Sequence, residues 1–218
     1  PDFLSFYHYP YNECDCFLES DSDRSTNPDA FINNLDWLYS YLDKIGFPKG
    51  EIYITEWNIS LSDRNYINDS CIRAAYTIHD VIQTLGKVDM LGCWISSDLF
   101  SNYYDSYKIL NGGTGLLSKD GIYKPVFYAY KFLDRLGSEL IAKDKNYILT
   151  TNGHRSYYFL CHNLKPFNYK YFLKQENEFK ADELSSLAEN LDPLSISVRL
   201  ANISNGEYYC KFHRLNQR

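Results

Sequence analysis

A chain of 218 residues, 44% hydrophobic and 23% charged, can bury a substantial core and has none of the compositional bias of long disorder. Its net charge of −6 leaves no basic excess to neutralise phosphates, which argues against direct nucleic-acid contact by this segment. A mean hydropathy of −0.43 and the lack of any apolar run near 18 residues argue against a membrane span.

The opening PDFLSFYHYP has neither the charged start nor the apolar stretch of a signal peptide and reads as the inside of a strand. Residues 2–9 are apolar and aromatic, too short for a helix and suited to a buried strand. Asn27-Pro28 then supplies a cap and a first-turn proline, and Phe31, Leu35, Leu38, Leu42 and Ile45 follow at helical spacing until Gly46 and Pro48 end the run. A second buried strand is expected over 51–55. Asn68 reads as the cap of a second helix with Ile72, Ala75, Ile78, Ile82 and Leu85 on its apolar face, and 88–94 as a third strand. After a loop rich in Ser, Tyr, Asn and Gly, Lys124-Pro125 opens a third helix, closed by Gly137.

Strand and helix alternating three times, with connections too long for hairpins, predict parallel strands. Beyond Gly137 the period changes to two, and 147–150, 156–163, 195–201 and 207–212 read as antiparallel strands, with the charged stretch 174–189 as an exposed loop or short surface helix. The switch divides the chain into residues 1–137 and 138–218. Both ends read as cut, and three parallel strands alone would leave an open edge, so self-association or a covering N-terminal portion is expected. Six cysteines without a C-x-x-C pair predict reduced structural thiols in a cytoplasmic protein and no metal site.

The sharpest chemical signal is Ile54-Thr55-Glu56-Trp57-Asn58, a carboxylate at the carboxyl end of a buried parallel strand beside an indole. Trp94 reads equally as a core indole and as a sugar-stacking ring. Asp98 reads as a loop cap, Gly112, Gly113 and Gly115 as turn residues, and His79 as a surface or packing residue.

TEWN, the preceding PDFLSFYHYP, and the following RNYINDSCIRAAY, GCWISSDLF, NGGTGLL and GIYKPVFYAYKFL resemble, in order and spacing, the C-terminal part of glycoside hydrolase family 39, the β-xylosidase and iduronidase group. The resemblance implies an α/β fold: strands six to eight of a (β/α)8 barrel with their helices, followed by an antiparallel β-sandwich. It also implies Glu56 as a catalytic nucleophile, and Tyr7, His8, Tyr9, Trp57, Asn58, Trp94, Asp98 and Asn111 as the residues lining a saccharide site for xylose or xylo-oligosaccharides. No cofactor is implied, since the chemistry needs only carboxyls and water. The family's acid/base lies in an Asn-Glu-Pro segment, and no such segment occurs in this chain. Where the family carries a histidine this chain has Tyr7, with His8 one place later and on the opposite face. Where the family carries acidic residues after Asp98 it has Ser101-Asn102, and the family's His-Gly-Gly-Phe-Gly is Asn111-Gly112-Gly113-Thr114-Gly115. A second resemblance, to family 39-like domains attached to AraC-family transcriptional regulators, implies instead a sugar-sensing or interaction module whose DNA contacts are made by another segment.

Overall fold

The computed structural model describes residues 2–11, 24–25, 27–48, 50–100, 107–190 and 192–216. Cys14, Cys16, Ser101 and Asn102 lie outside the described residues. Three parallel strands, β1 (Phe3–His8), β2 (Glu51–Trp57) and β3 (Met90–Cys93), form one sheet in that order. They alternate with helices α1 (Ala30–Lys44), α2 (Cys71–Thr84) and α3 (Pro125–Leu133), as the periodicity predicts. The α2 cap is Ser70, whose hydroxyl accepts from the Ile72 N–H, and not Asn68. Asn68 is buried, and its amide donates to the Ser62 and Gly112 carbonyls, tying two loops together.

On the helix side of the sheet, Ile52, Ile54 and Trp57 bury against Phe31 and Leu35 of α1 and Tyr76 of α2. The other face stays open, with Phe3, Tyr7 and Met90 exposed. A parallel sheet is ordinarily covered on both faces, whereas among the described residues this one is covered on the helix side.

The second sheet is antiparallel: β4 (Glu139–Asp144), β5 (Tyr147–Thr151) and β6 (Tyr157–Cys161), in sequence order. The middle strand sends Ile148 into a second apolar cluster with Ala74, Ile78 and Ile82 of α2 and Ala129 of α3. Lys143 of β4 donates to the Ile82 and Leu85 carbonyls where α2 ends. α2 is therefore enclosed by a sheet on each side, which explains the burial of Arg73, Thr77, His79, Asp80 and Thr84 along it.

Three expectations are corrected here. Residues 174–189 follow the second alternative, short surface helices, and differ from the expectation in sending three side chains into the core. After α4 (Tyr169–Phe172), the chain passes through short 3-10 turns over Glu176–Glu178 and Ala181–Leu187, and Tyr171, Phe179, Leu184 and Leu187 are buried in the same cluster as Phe31, Ile59 and Ile67. Residues 195–201 and 207–212 are not strands. Their alternation is real, but a strand exists only where a partner completes its ladder, and among the described residues none pairs with them. β4 goes unread in the sequence because it has almost no buried face.

Candidate active site

Glu56 lies at the carboxyl end of β2, and a bulge decides which way it points. Strict alternation would send Glu56 to the helix side with Ile52 and Ile54. Instead, Phe6 pairs with Ile54 and Tyr7 with Glu56, so Thr55 is the extra residue opposite β1. On the other side of β2, Gly92 alone spans the interval between the Ile54–Leu91 and Trp57–Cys93 pairs. Position 92 has no room for a side chain, because a Cβ there would stand 2.6 Å from the Thr55 carbonyl oxygen. The bulge keeps Trp57 in the core and turns the half-buried Glu56 to the open face.

There, the Tyr9 hydroxyl donates to Glu56 Oε1. Burial and the adjacent carboxylate push the Tyr9 phenol well above its ordinary value, so it remains a donor throughout the neutral range. Tyr7 lies on the same face, 64% exposed, with its ring centroid 6.3 Å from that of Tyr9. Trp94, 41% exposed, follows β3 on the same rim, and its backbone N–H donates to the Trp57 carbonyl at 3.0 Å. The Trp94–Ile95 peptide is cis. Glu56, Tyr7, Tyr9 and Trp94 thus share one rim.

Three other expected site residues, His8, Trp57 and Asn58, do not reach the open face. His8 is buried, stacked on Phe31 with centroids 4.1 Å apart, and burial lowers its pKa to about 4. Trp57 is buried between Phe31 and Tyr76. Asn58 is buried, its side-chain oxygen accepting from the Ile59 N–H at 2.9 Å. Asn111 is half-buried.

Asp98 is buried inside a charge cluster. Lys124, 1% exposed, places its ammonium 2.6 Å from Asp98 and 2.7 Å from Asp69, and donates to the Gly113 carbonyl at 2.7 Å. The Gly115 N–H donates to Asp98 and the Gly112 N–H to Asp69. The glycines therefore serve more than a turn. Gly112 has φ +83°, whereas a Cβ at Gly113 or Gly115 would fall within 2.6 Å of Asp98 atoms. Sequence reasoning missed Lys124 as a buried cation, because Lys124-Pro125 also fits a helix start. It missed Arg73 as well, whose guanidinium donates to the Thr114, Gly115 and Trp94 carbonyls and so holds the loop that carries Trp94. His79 is neither a surface nor a simple packing residue: it is buried, with Nδ1 2.8 Å from Asp80 and Nε2 3.3 Å from Asp29.

A carboxylate at the carboxyl rim of a parallel α/β sheet, held by a tyrosine hydroxyl and flanked by exposed aromatic rings, stands where α/β-barrel proteins place their functional groups. The model of glycosyl hydrolases family 39 matches residues 2–157, and the chain belongs to that family. It is 30% identical over 123 residues to a β-xylosidase of Geobacillus stearothermophilus, covering 56% of this chain and 24% of that protein. A monomeric β-xylosidase from Caulobacter crescentus, at 30% identity, superposes with a TM-score of 0.60 over 70% of this chain and 31% of its own. A helix-turn-helix-type transcriptional regulator of Staphylococcus aureus is 21% identical over 179 residues, covering 82% of this chain and 24% of that protein. The chain thus spans about a quarter of the length of these curated relatives.

Proposed function

We propose that this chain carries the nucleophile half of a retaining β-xylosidase-type active site, built on the last three strands of a (β/α)8 barrel, and that Glu56 is the nucleophile. The single observation behind this reading is the Tyr9–Glu56 pair on the carboxyl rim of β2. In a retaining hydrolysis the carboxylate attacks the anomeric carbon as the glycosidic C–O bond breaks, and a second carboxyl about 5–5.5 Å away protonates the departing oxygen. Water activated by that second group then cleaves the glycosyl ester and regenerates the carboxylate. Tyr9 engages Oε1 and fixes the carboxylate plane, which leaves Oε2 as the attacking oxygen. The exposed rings of Tyr7 and Trp94 offer apolar faces for a pyranose. The acid/base is assigned to a part of the protein outside this chain, as the absence of an Asn-Glu-Pro segment supports.

The test is hydrolysis of an aryl β-xyloside by the full-length protein and its Glu56→Ala variant. Loss of turnover, restored by azide with formation of a glycosyl azide, is expected. Unchanged turnover in the variant would remove Glu56 from the chemistry.

One observation favours a second reading. The regulator-type relative aligns over 82% of the chain, against 56% for the β-xylosidase. In that reading the same rim binds a saccharide without turnover, and DNA contact belongs to another segment, in keeping with the net charge of −6 here. Calorimetric binding of xylo-oligosaccharides by a protein that hydrolyses none of them would establish it.

A further inference from the structure

Beyond the Tyr9–Glu56 pair, a second tyrosine–carboxylate pair stands two residues further along the same strand exit. Tyr11 donates its hydroxyl to Glu176 Oε1. Glu176 belongs to the segment that follows the second sheet, 111 positions or more from the β2-loop residues it meets. Its other oxygen accepts from the Ser60 hydroxyl, from the Ser62 N–H at 3.2 Å and from the Asn65 amide at 3.4 Å. The Tyr11 oxygen in turn accepts from the Leu61 N–H at 2.9 Å. One carboxylate therefore joins the chain leaving β1 to the chain leaving β2, a few residues beyond Tyr9 and Glu56.

The lock is anchored at both ends. Its own segment is held by Phe179, Leu184 and Leu187 in the main core, and Lys174 pairs with Glu183 at 2.7 Å. The loop it grips continues into the rim: the Asn65 N–H donates to the Gly112 carbonyl at 3.1 Å, and Asp63 accepts from the Thr114 hydroxyl at 3.0 Å. A carboxylate with four donors spread over two strand exits constrains their relative position, because hydrogen bonds to a carboxylate are directional where apolar packing is not.

We infer that Glu176 is a positioning residue for Glu56: by tying the exits of β1 and β2 together, it sets the distance between the Tyr9 hydroxyl and the Glu56 carboxylate. This inference rests on the nucleophile reading above. A displacement of about 1 Å at a reacting group is enough to cost up to a hundred-fold in rate, so a loosened exit loop acts on the chemical step more than on binding.

The experiment uses the full-length protein labelled with tyrosine enriched at the ring carbon bearing the hydroxyl. The Tyr9 resonance is assigned by Tyr9→Phe, and Glu56→Gln gives the shift for a perturbed pair. Glu176→Gln is expected to move the Tyr9 resonance in the same direction as Glu56→Gln. It should also lower kcat on an aryl β-xyloside about ten-fold with KM within about two-fold, a partial loss of positioning, and Glu176→Asp should recover part of both. An unmoved Tyr9 resonance in folded Glu176→Gln overturns the inference, as does a moved resonance with unchanged kcat. Should Glu176→Gln fail to fold, Tyr11→Phe removes one arm of the lock while keeping the carboxylate and its other three partners, and an unmoved Tyr9 resonance there overturns the inference equally. If the wild-type protein hydrolyses no xyloside, the nucleophile reading falls on that ground, and the Tyr9 resonance alone decides whether Glu176 sets the pair's geometry.

Discussion

Replacing Lys124 with methionine keeps most of the side-chain volume and removes the ammonium that Asp69 and Asp98 share at 2.7 and 2.6 Å. All three groups are almost fully buried, so the variant leaves two carboxylates facing each other without a counter-charge. Removing one partner of a buried ion pair costs about 3–5 kcal/mol. The Gly115 N–H still serves Asp98 and the Gly112 N–H still serves Asp69, which places the expected loss near the lower bound, about 3 kcal/mol. At about 2–4 °C per kcal/mol for a chain of this size, Tm should fall by roughly 6–12 °C. The pH dependence follows from Asp69, which burial holds above the ordinary carboxylate value even beside Lys124. A carboxyl whose pKa is raised on folding binds more protons in the folded state, so its contribution to stability is present at low pH and lost as pH rises through the folded value. Without the ammonium the Asp69 carboxyl shifts further up, and the penalty is greatest near neutrality and shrinks on acidification. Urea melts of both proteins at pH 7 and pH 5 read this directly. A loss below about 1 kcal/mol at pH 7, or one that grows toward pH 5, would refute a buried ion-pair role.

His8 and His162 have pKa values lowered to about 4 by burial, so both are neutral when folded and protonate on unfolding below about pH 6.5. Their contribution is present above that value and is lost as pH falls toward 4. Each should cost about 2 kcal/mol between pH 7 and pH 5, and a His8→Phe variant should show a shallower acid loss in denaturant melts than the wild type. Gly92→Ala should destabilise by about 1–3 kcal/mol, because the added methyl meets the Thr55 carbonyl at 2.6 Å; an unchanged Tm would mean that the bulge does not require a bare position there.

The three βα repeats were legible because each carries its own period and punctuation: Phe31 and Leu35 at helical spacing, Gly46 at the helix end, Pro125 at a helix start. The rim position of Glu56 was also readable from its place at the end of an apolar strand. What sequence could not supply was its facing, since a bulge belongs to the pairing of three strands and leaves no mark in the residues of one. The fates of Asp98 and Lys124 were hidden for a related reason: charges 26 positions apart in the chain read as solvated until the fold brings them together. Residues 174–189 read as surface because Leu184 and Leu187 mark only one 3-10 turn and Phe179 lies outside it, too short a repeat among so many charges to signal burial. Conversely, 195–201 alternates cleanly yet forms no strand, because alternation describes a side-chain pattern and not a hydrogen-bonding partner.

The number of residues between Ile54 and Trp57 thus matters as much as their identity. A chain shortened by Thr55 would still send the acid and the indole to their present sides, along an unkinked ribbon, and position 92 would be released from its need for glycine. Length in one strand and residue size in its neighbour are therefore coupled, and a change in either should be tolerated best when it arrives with the other.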